Sequence, residues 1–116
     1  MQKLFLLFTL CAALAFAQAD APASFTGEIT DSMCARNRSH AESVQLSSDM
    51  GKTAASCTIA CVDKHGAKFV LLDTEHKKTY MLSNQDAARK FAGRKVQVTG
   101  TLNKRTIEVQ TISEAK

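Results

Sequence analysis

The sequence predicts a mainly β protein with short helices. The specific expectation is a five-stranded OB-like barrel with a Cys/His-containing loop and helix inserted between its first two strands. Three observations lead there. Residues 25–30, 68–73, 79–83, 95–102 and 106–111 read as short strands, either by apolar/polar alternation or as short apolar runs bounded by turn residues. A short helical segment with its own start signal falls between the third and fourth of them. The resulting order of strand, insertion, strand, strand, helix, strand, strand is that of an OB barrel. The alternative for such an order is a ferredoxin-like α+β sandwich with an extra strand. Its second helix would be short here, and the last two strands read as a plain hairpin.

The chain opens MQKLFLLFTLCAALAFAQA. Lys3 precedes an apolar run from Leu4 to Ala17, and the segment closes on Ala17-Gln18-Ala19. These are the parts of a secretory signal peptide over residues 1–19, with cleavage expected after Ala19 and Ala17 as the other small-residue site. The run is shorter than the roughly 20 residues a membrane-spanning helix needs. The mature chain is therefore expected in the periplasm or outside the cell, and not spanning a membrane. Leu10 before Cys11 is too large for a lipoprotein signal. Residues 20–24, with the only proline at Pro22, form a flexible lead-in. Residues 25–113 then make one small domain, with the insertion at 32–66.

Phe25, Gly27 and Ile29 share one face of the first strand, which Asp31 and Ser32 end. Ala35 to Lys52 is polar and aperiodic, a long loop with room for a helical turn near His40 to Leu46. Thr53 to His65 reads as a helix, with Gly66 as its C-cap. At 100° per residue, Ala54, Cys57, Cys61 and His65 share an arc. Ala55, Ile59 and Val62 form the adjacent apolar stripe, while Ser56, Asp63 and Lys64 face away. Lys68–Asp73 and Thr79–Ser83 are strands around the polar turn Thr74–Lys78. Ser83 and Asp86 resemble a capping box opening a helix that ends at Gly93. Val96, Val98, Gly100 and Leu102 are expected to point inward, with Gly100 at a barrel corner. After a turn at Asn103-Lys104, Ile107 and Val109 point inward. Ile112 breaks the alternation, which predicts a bulge or frayed end.

The segments GEITDSMC, His40, CTIACVDKHGAKFVLL, FAGRKVQVTGTL and TIEVQTI together resemble a group of small, uncharacterised secreted bacterial proteins. That group shares a G-x-I-x-D-S-x-C start, a C-x-x-x-C-V segment and an A-G-x-x-V-x-V-T-G-T strand. The resemblance covers nearly all of residues 25–112. It implies an exported small β-barrel with no assigned activity, and it supplies no catalytic residues.

Composition excludes several functions. The net charge of +4 is mixed along the chain without a basic block. With no Trp and one Tyr there is no evident base-stacking platform, so nucleic acid is not an expected partner. No P-loop, dinucleotide fingerprint or G-x-S-x-G elbow is present. Val62 follows Cys61, which rules out a C-x-x-C-H haem attachment. An enzyme is the less expected class, a thiol enzyme being the one such reading left open.

Cysteine usage is the informative feature. Cleavage removes Cys11 and leaves Cys34, Cys57 and Cys61 in an oxidising compartment. An odd number cannot all pair within one monomer. One reading is a disulfide from Cys34 to Cys57 or Cys61, which would tether the insertion and stabilise the fold by about 3 kcal/mol. A bond between Cys57 and Cys61 within the helix would be strained. A second reading is a metal site. Cys57 and Cys61 lie one turn apart, and Cys34 and His40 complete a Cys₃His set suited to zinc, or to copper through its thiolates. His65 is a poorer ligand, being two turns, roughly 12 Å, from Cys57. A third is a redox-active or nucleophilic thiol, including a Cys34–His40 dyad. His40 otherwise reads as a solvated loop residue, His65 as a last-turn residue favoured by the helix dipole, and His76 as part of a charged turn. The expectation is thus a non-enzymatic binding or structural module, stapled by a disulfide, for a protein, peptide or envelope ligand. A metal-binding protein and a thiol redox protein are the alternatives.

Overall fold

A computed structural model describes residues 21–37 and 53–116. Residues 1–19, expected from the sequence to be a signal peptide, and residues 38–52, His40 among them, lie outside the described residues. The strands are β1 (Ala23–Asp31), β2 (Phe69–Asp73), β3 (Lys78–Leu82), β4 (Lys95–Asn103) and β5 (Thr106–Glu114). The helices are α1 (Cys34–Asn37), α2 (Ala54–His65) and α3 (Gln85–Arg89).

The strands close a ring in the order β1-β2-β3-β5-β4. β1 is the shared strand. Its first part pairs antiparallel with β4, Ala23 against Gly100 through Glu28 against Lys95. Its second part pairs with β2, Glu28 against Leu72 through Asp31 against Phe69. β2–β3 and β4–β5 are antiparallel hairpins. The ring is uneven, because β3 meets β5 only through a parallel seam, Met81 against Thr106 and Leu82 against Ile107. That order and the parallel seam are compatible with an OB-like β fold.

The core follows from the period-2 pattern. Ile29, Phe69, Leu71, Leu82, Val96, Val98 and Ile107 fill it, with Ala88 and Ala92 from the α3 region against one end. β2 is buried along its whole length, as its apolar run FVLL indicates. Three local readings are corrected. Leu102 is exposed although it pairs with the fully buried Ile107, because it stands one residue from the end of β4, beyond an irregularity between Thr99 and Gly100 that shifts the β4–β5 register. The bulge therefore falls at Gln110, two residues before the expected position, because Thr99 pairs with Thr111 and Gly100 with Val109.

The third correction concerns α3, which is shorter than expected and starts from Asn84, whose Oδ1 accepts from Ala87 N at 3.0 Å. Ser83 is committed elsewhere. Its Oγ accepts from Val109 N at 2.8 Å and its N donates to Ile107 O, extending the seam. Gln85 at the start of α3 clamps the neighbouring strand. It accepts from Phe69 N at 2.8 Å and donates to Phe69 O and Leu82 O at 2.9 and 3.0 Å.

Among the described residues no helix is long and apolar enough to cross a membrane.

Candidate metal centre

The inserted segment is held against the end of β1 from both sides. Asp31, fully buried at the end of β1, accepts backbone hydrogen bonds from Met33 N and Cys34 N, both at 2.9 Å. This aspartate turn starts α1 and fixes Cys34. Ser32 pins the same turn to the start of β2: its N donates to Lys68 O and its Oγ accepts from Lys68 N.

α2 begins on a capping box, with Thr53 Oγ1 accepting from Ser56 N and Ser56 Oγ accepting from Thr53 N. It ends on Gly66, whose N–H donates to Cys61 O. One face of α2 buries Cys57, Thr58 and Cys61. Val62 packs on both the barrel core and the cysteine cluster, so the helix docks through the apolar stripe beside its cysteines. On the outer side Asp63 pairs with Arg89, which also lies over the Phe69 ring at 5.3 Å. The Arg89 guanidinium holds the Asp63 carboxyl below its ordinary range. Both groups are largely exposed, so this contact orients α2 and α3 more than it stabilises them.

Cys34, Cys57, Cys61 and Ala67 form a small buried cluster at this junction. The three sulfurs lie within 4.8 Å of one another, and Cys34 Sγ is 3.8 Å from Cys57 Sγ. A disulfide bond is about 2.05 Å long, so no pair is at bonding distance. Three thiolates bound to one ion at about 2.3 Å would sit about 3.8 Å apart at tetrahedral angles. Three buried cysteines are thus close enough to hold a metal ion.

The surroundings are polar where the cluster meets β1. Asp31 Oδ2 and Thr58 Oγ1 are buried without a hydrogen-bond partner among the described residues. Buried oxygens without a well-aligned partner are uncommon, and the Cys61 thiol engages the Asp31 carboxylate here. Burial first, then the charges of Asp31 and Cys57, push the Cys61 thiol up to about 11. Hydrogen bonding of the thiol to the Asp31 carboxylate acts in the same direction, and its hydrogen bond with Cys34 opposes it. Cys61 is therefore a neutral thiol at pH 7 in the metal-free protein.

Because its folded value lies above the unfolded one of 9.0, the stabilisation is complete below pH 9. It is lost as pH rises towards 11, since the unfolded chain then gives up its proton first. Urea unfolding of the reduced, metal-free protein should show stability falling by on the order of 2 kcal/mol over that window. Cys61→Ala should flatten the fall; an equal fall in that variant would mean that another group drives it.

The structure brings Cys34, Cys57 and Cys61 together. His65 sits exposed in the last turn of α2, outside the cluster. His40 lies outside the described residues. His76 pairs with Asp73 at 2.7 Å in the β2–β3 turn, with its side chain mostly exposed. Asp31 is a site residue that the sequence places only at the end of the first strand. As a strand terminator next to Ser it reads as a turn residue, and only its position three residues before Cys34 hints otherwise.

Residues 62–115 match the model of a family described as "Protein of unknown function (DUF5818)", consistent with the resemblance to an uncharacterised family. The match begins one residue after Cys61. It takes in β2 to β5 and none of the three cysteines. Neither the curated proteins nor the solved structures gave a match.

Proposed function

We propose that this protein is an exported metal-binding module in which Cys34, Cys57 and Cys61 hold one soft or borderline ion, zinc or copper(I). The observation that carries the reading is the buried trio of sulfurs within 4.8 Å of one another. A disulfide would use two of these thiols and strand the third, whereas one ion uses all three. Thiolates favour both ions. Copper(I) is satisfied by three sulfurs, while structural zinc takes a fourth ligand. Asp31 Oδ2 and His40 are the two groups of this chain proposed for that position. Binding must displace the proton of Cys61, so uptake strengthens with rising pH.

The test is metal content of the protein exported with its own leader and purified without chelator or reductant. One ion per chain is expected, with its loss in Cys57→Ser. Unchanged metal content in that variant would remove these ligands from consideration. Asp31→Asn and His40→Ala then separate the ions: zinc is weakened by loss of its fourth ligand, and copper(I) is retained.

A second reading has its own support in the 3.8 Å Cys34–Cys57 contact and the expected oxidising compartment. A side-chain adjustment would join this pair and staple the insertion of a binding module for a protein, peptide or envelope ligand. Intact mass decides between them. A native mass two hydrogens below that of the reduced chain means the staple, and a mass raised by one ion that is lost on unfolding means the metal module.

A further inference from the structure

The described residues contain two non-glycine residues with left-handed backbone, Lys77 at φ 55° and Lys104 at φ 57°. They stand in different turns, β2–β3 and β4–β5, at positions where Gly or Asn would be accommodated more readily. Both line one open cleft of about 470 Å³, together with Lys78, Tyr80, Leu102 and Arg105. No acidic side chain lines it. The cleft is a product of the fold rather than of any basic run in the sequence. The parallel seam, with Met81 N donating to Arg105 O at 2.8 Å, sets the start of β3 beside the β4–β5 turn. Four cations from two distant turns therefore converge on one opening. Backbone strain kept in two lysines that share a cleft points to a role for their charges.

We propose that this cleft binds a phosphate ester. The volume is that of a small-molecule site. Arg105 offers a planar fork to phosphate oxygens and the three lysines supply point charges around it. Tyr80 and Leu102 give an apolar wall for the group that carries the phosphate, the Tyr80 ring being braced by Phe25 with centroids 5.2 Å apart. The site is independent of the cysteine cluster. A lipid headgroup and a soluble phosphate ester present the same chemistry, and the experiment distinguishes them.

Tyr80 is the only tyrosine and the chain has no tryptophan, so all tyrosine emission comes from a residue that lines this cleft. The full chain is titrated at physiological salt with pyrophosphate and glycerol phosphate. It is titrated separately with phosphatidylcholine vesicles with and without phosphatidic acid. A saturable emission change is expected. A response to the soluble esters assigns a soluble ligand, and a response confined to the acidic vesicles assigns a headgroup. Lys77→Gly and Lys104→Gly each remove a charge while relieving the backbone. Each should weaken binding at least tenfold with Tm unchanged or raised, and Cys57→Ser should bind like the parent. Three results would overturn the proposal: no response to any probe, undiminished affinity in both glycine variants, or equal affinity for double-stranded DNA, which would make the cleft a general polycation.

Discussion

Gly93→Val is expected to destabilise the protein by at least about 3 kcal/mol and to scatter the three thiols. Gly93 has φ 75°, and a Cβ there would lie 2.5 Å from Ala55 N and 2.9 Å from Ala54 C. The obstacle is the backbone of α2 itself, which cannot rotate aside as a side chain can. The left-handed penalty of about 1–2 kcal/mol adds to a collision relieved only by lifting the helix that carries Cys57 and Cys61, and overpacking of this kind costs about 1–3 kcal/mol. Gly66 is the internal control. Its φ of 70° is nearly the same, yet nothing lies within 4 Å of a Cβ placed there. Gly66→Ala should therefore cost only about 1 kcal/mol. Urea unfolding of the two variants, read beside their metal content, checks the contrast. Equal losses would mean that α2 does not rest on Gly93.

Asp31→Ala is expected to lower stability by about 2–3 kcal/mol. It deprives Met33 N and Cys34 N of their shared acceptor in a buried turn, and a stranded buried donor costs about 1–3 kcal/mol. Asp31→Asn keeps an acceptor for both donors and removes only the charge, so it should cost about 1 kcal/mol or less. The two variants also part company at Cys61. The Asp31 charge helps to push that thiol upward, so the asparagine variant should titrate at lower pH than the parent, as read by thiolate absorbance. If Asn destabilises as much as Ala, the charge rather than the hydrogen bonds holds the turn.

Much of the barrel was legible in the sequence because alternation survives in single strands. Ile29, Val96, Val98 and Ile107 are core residues, and the apolar run FVLL marks a strand buried on both faces. The helix Ala54–His65 was legible from its caps and from the turn-spaced cysteines. What escaped the reading depends on partners distant in the chain. Ser83 looks like a helix cap until β5 arrives to use its hydroxyl. Leu102 alternates as a core residue and pairs with the buried Ile107, but one residue from the end of β4 it lines an open cleft and stays exposed. Asp31 reads as a turn former because its buried neighbour Cys61 lies on α2, 30 residues further along. Lysines at 77–78 and basic residues at 104–105 form no block in one dimension, and only the parallel seam makes them neighbours.

The contact between Cys34 and Cys57 also bears on how the chain finds its shape. Closing β1 onto β2 requires Ser32 and Lys68, 36 residues apart, to meet. Any bridge between the two cysteines, ionic or covalent, short-circuits the 23 positions separating them. The effective contour left to close is then about a third as long, which reduces the entropy opposing the first long-range strand pairing by roughly 1 kcal/mol. A link made early would thus act as a kinetic shortcut. The polar insertion, otherwise the longest detour in the topology, would cease to delay assembly of the barrel.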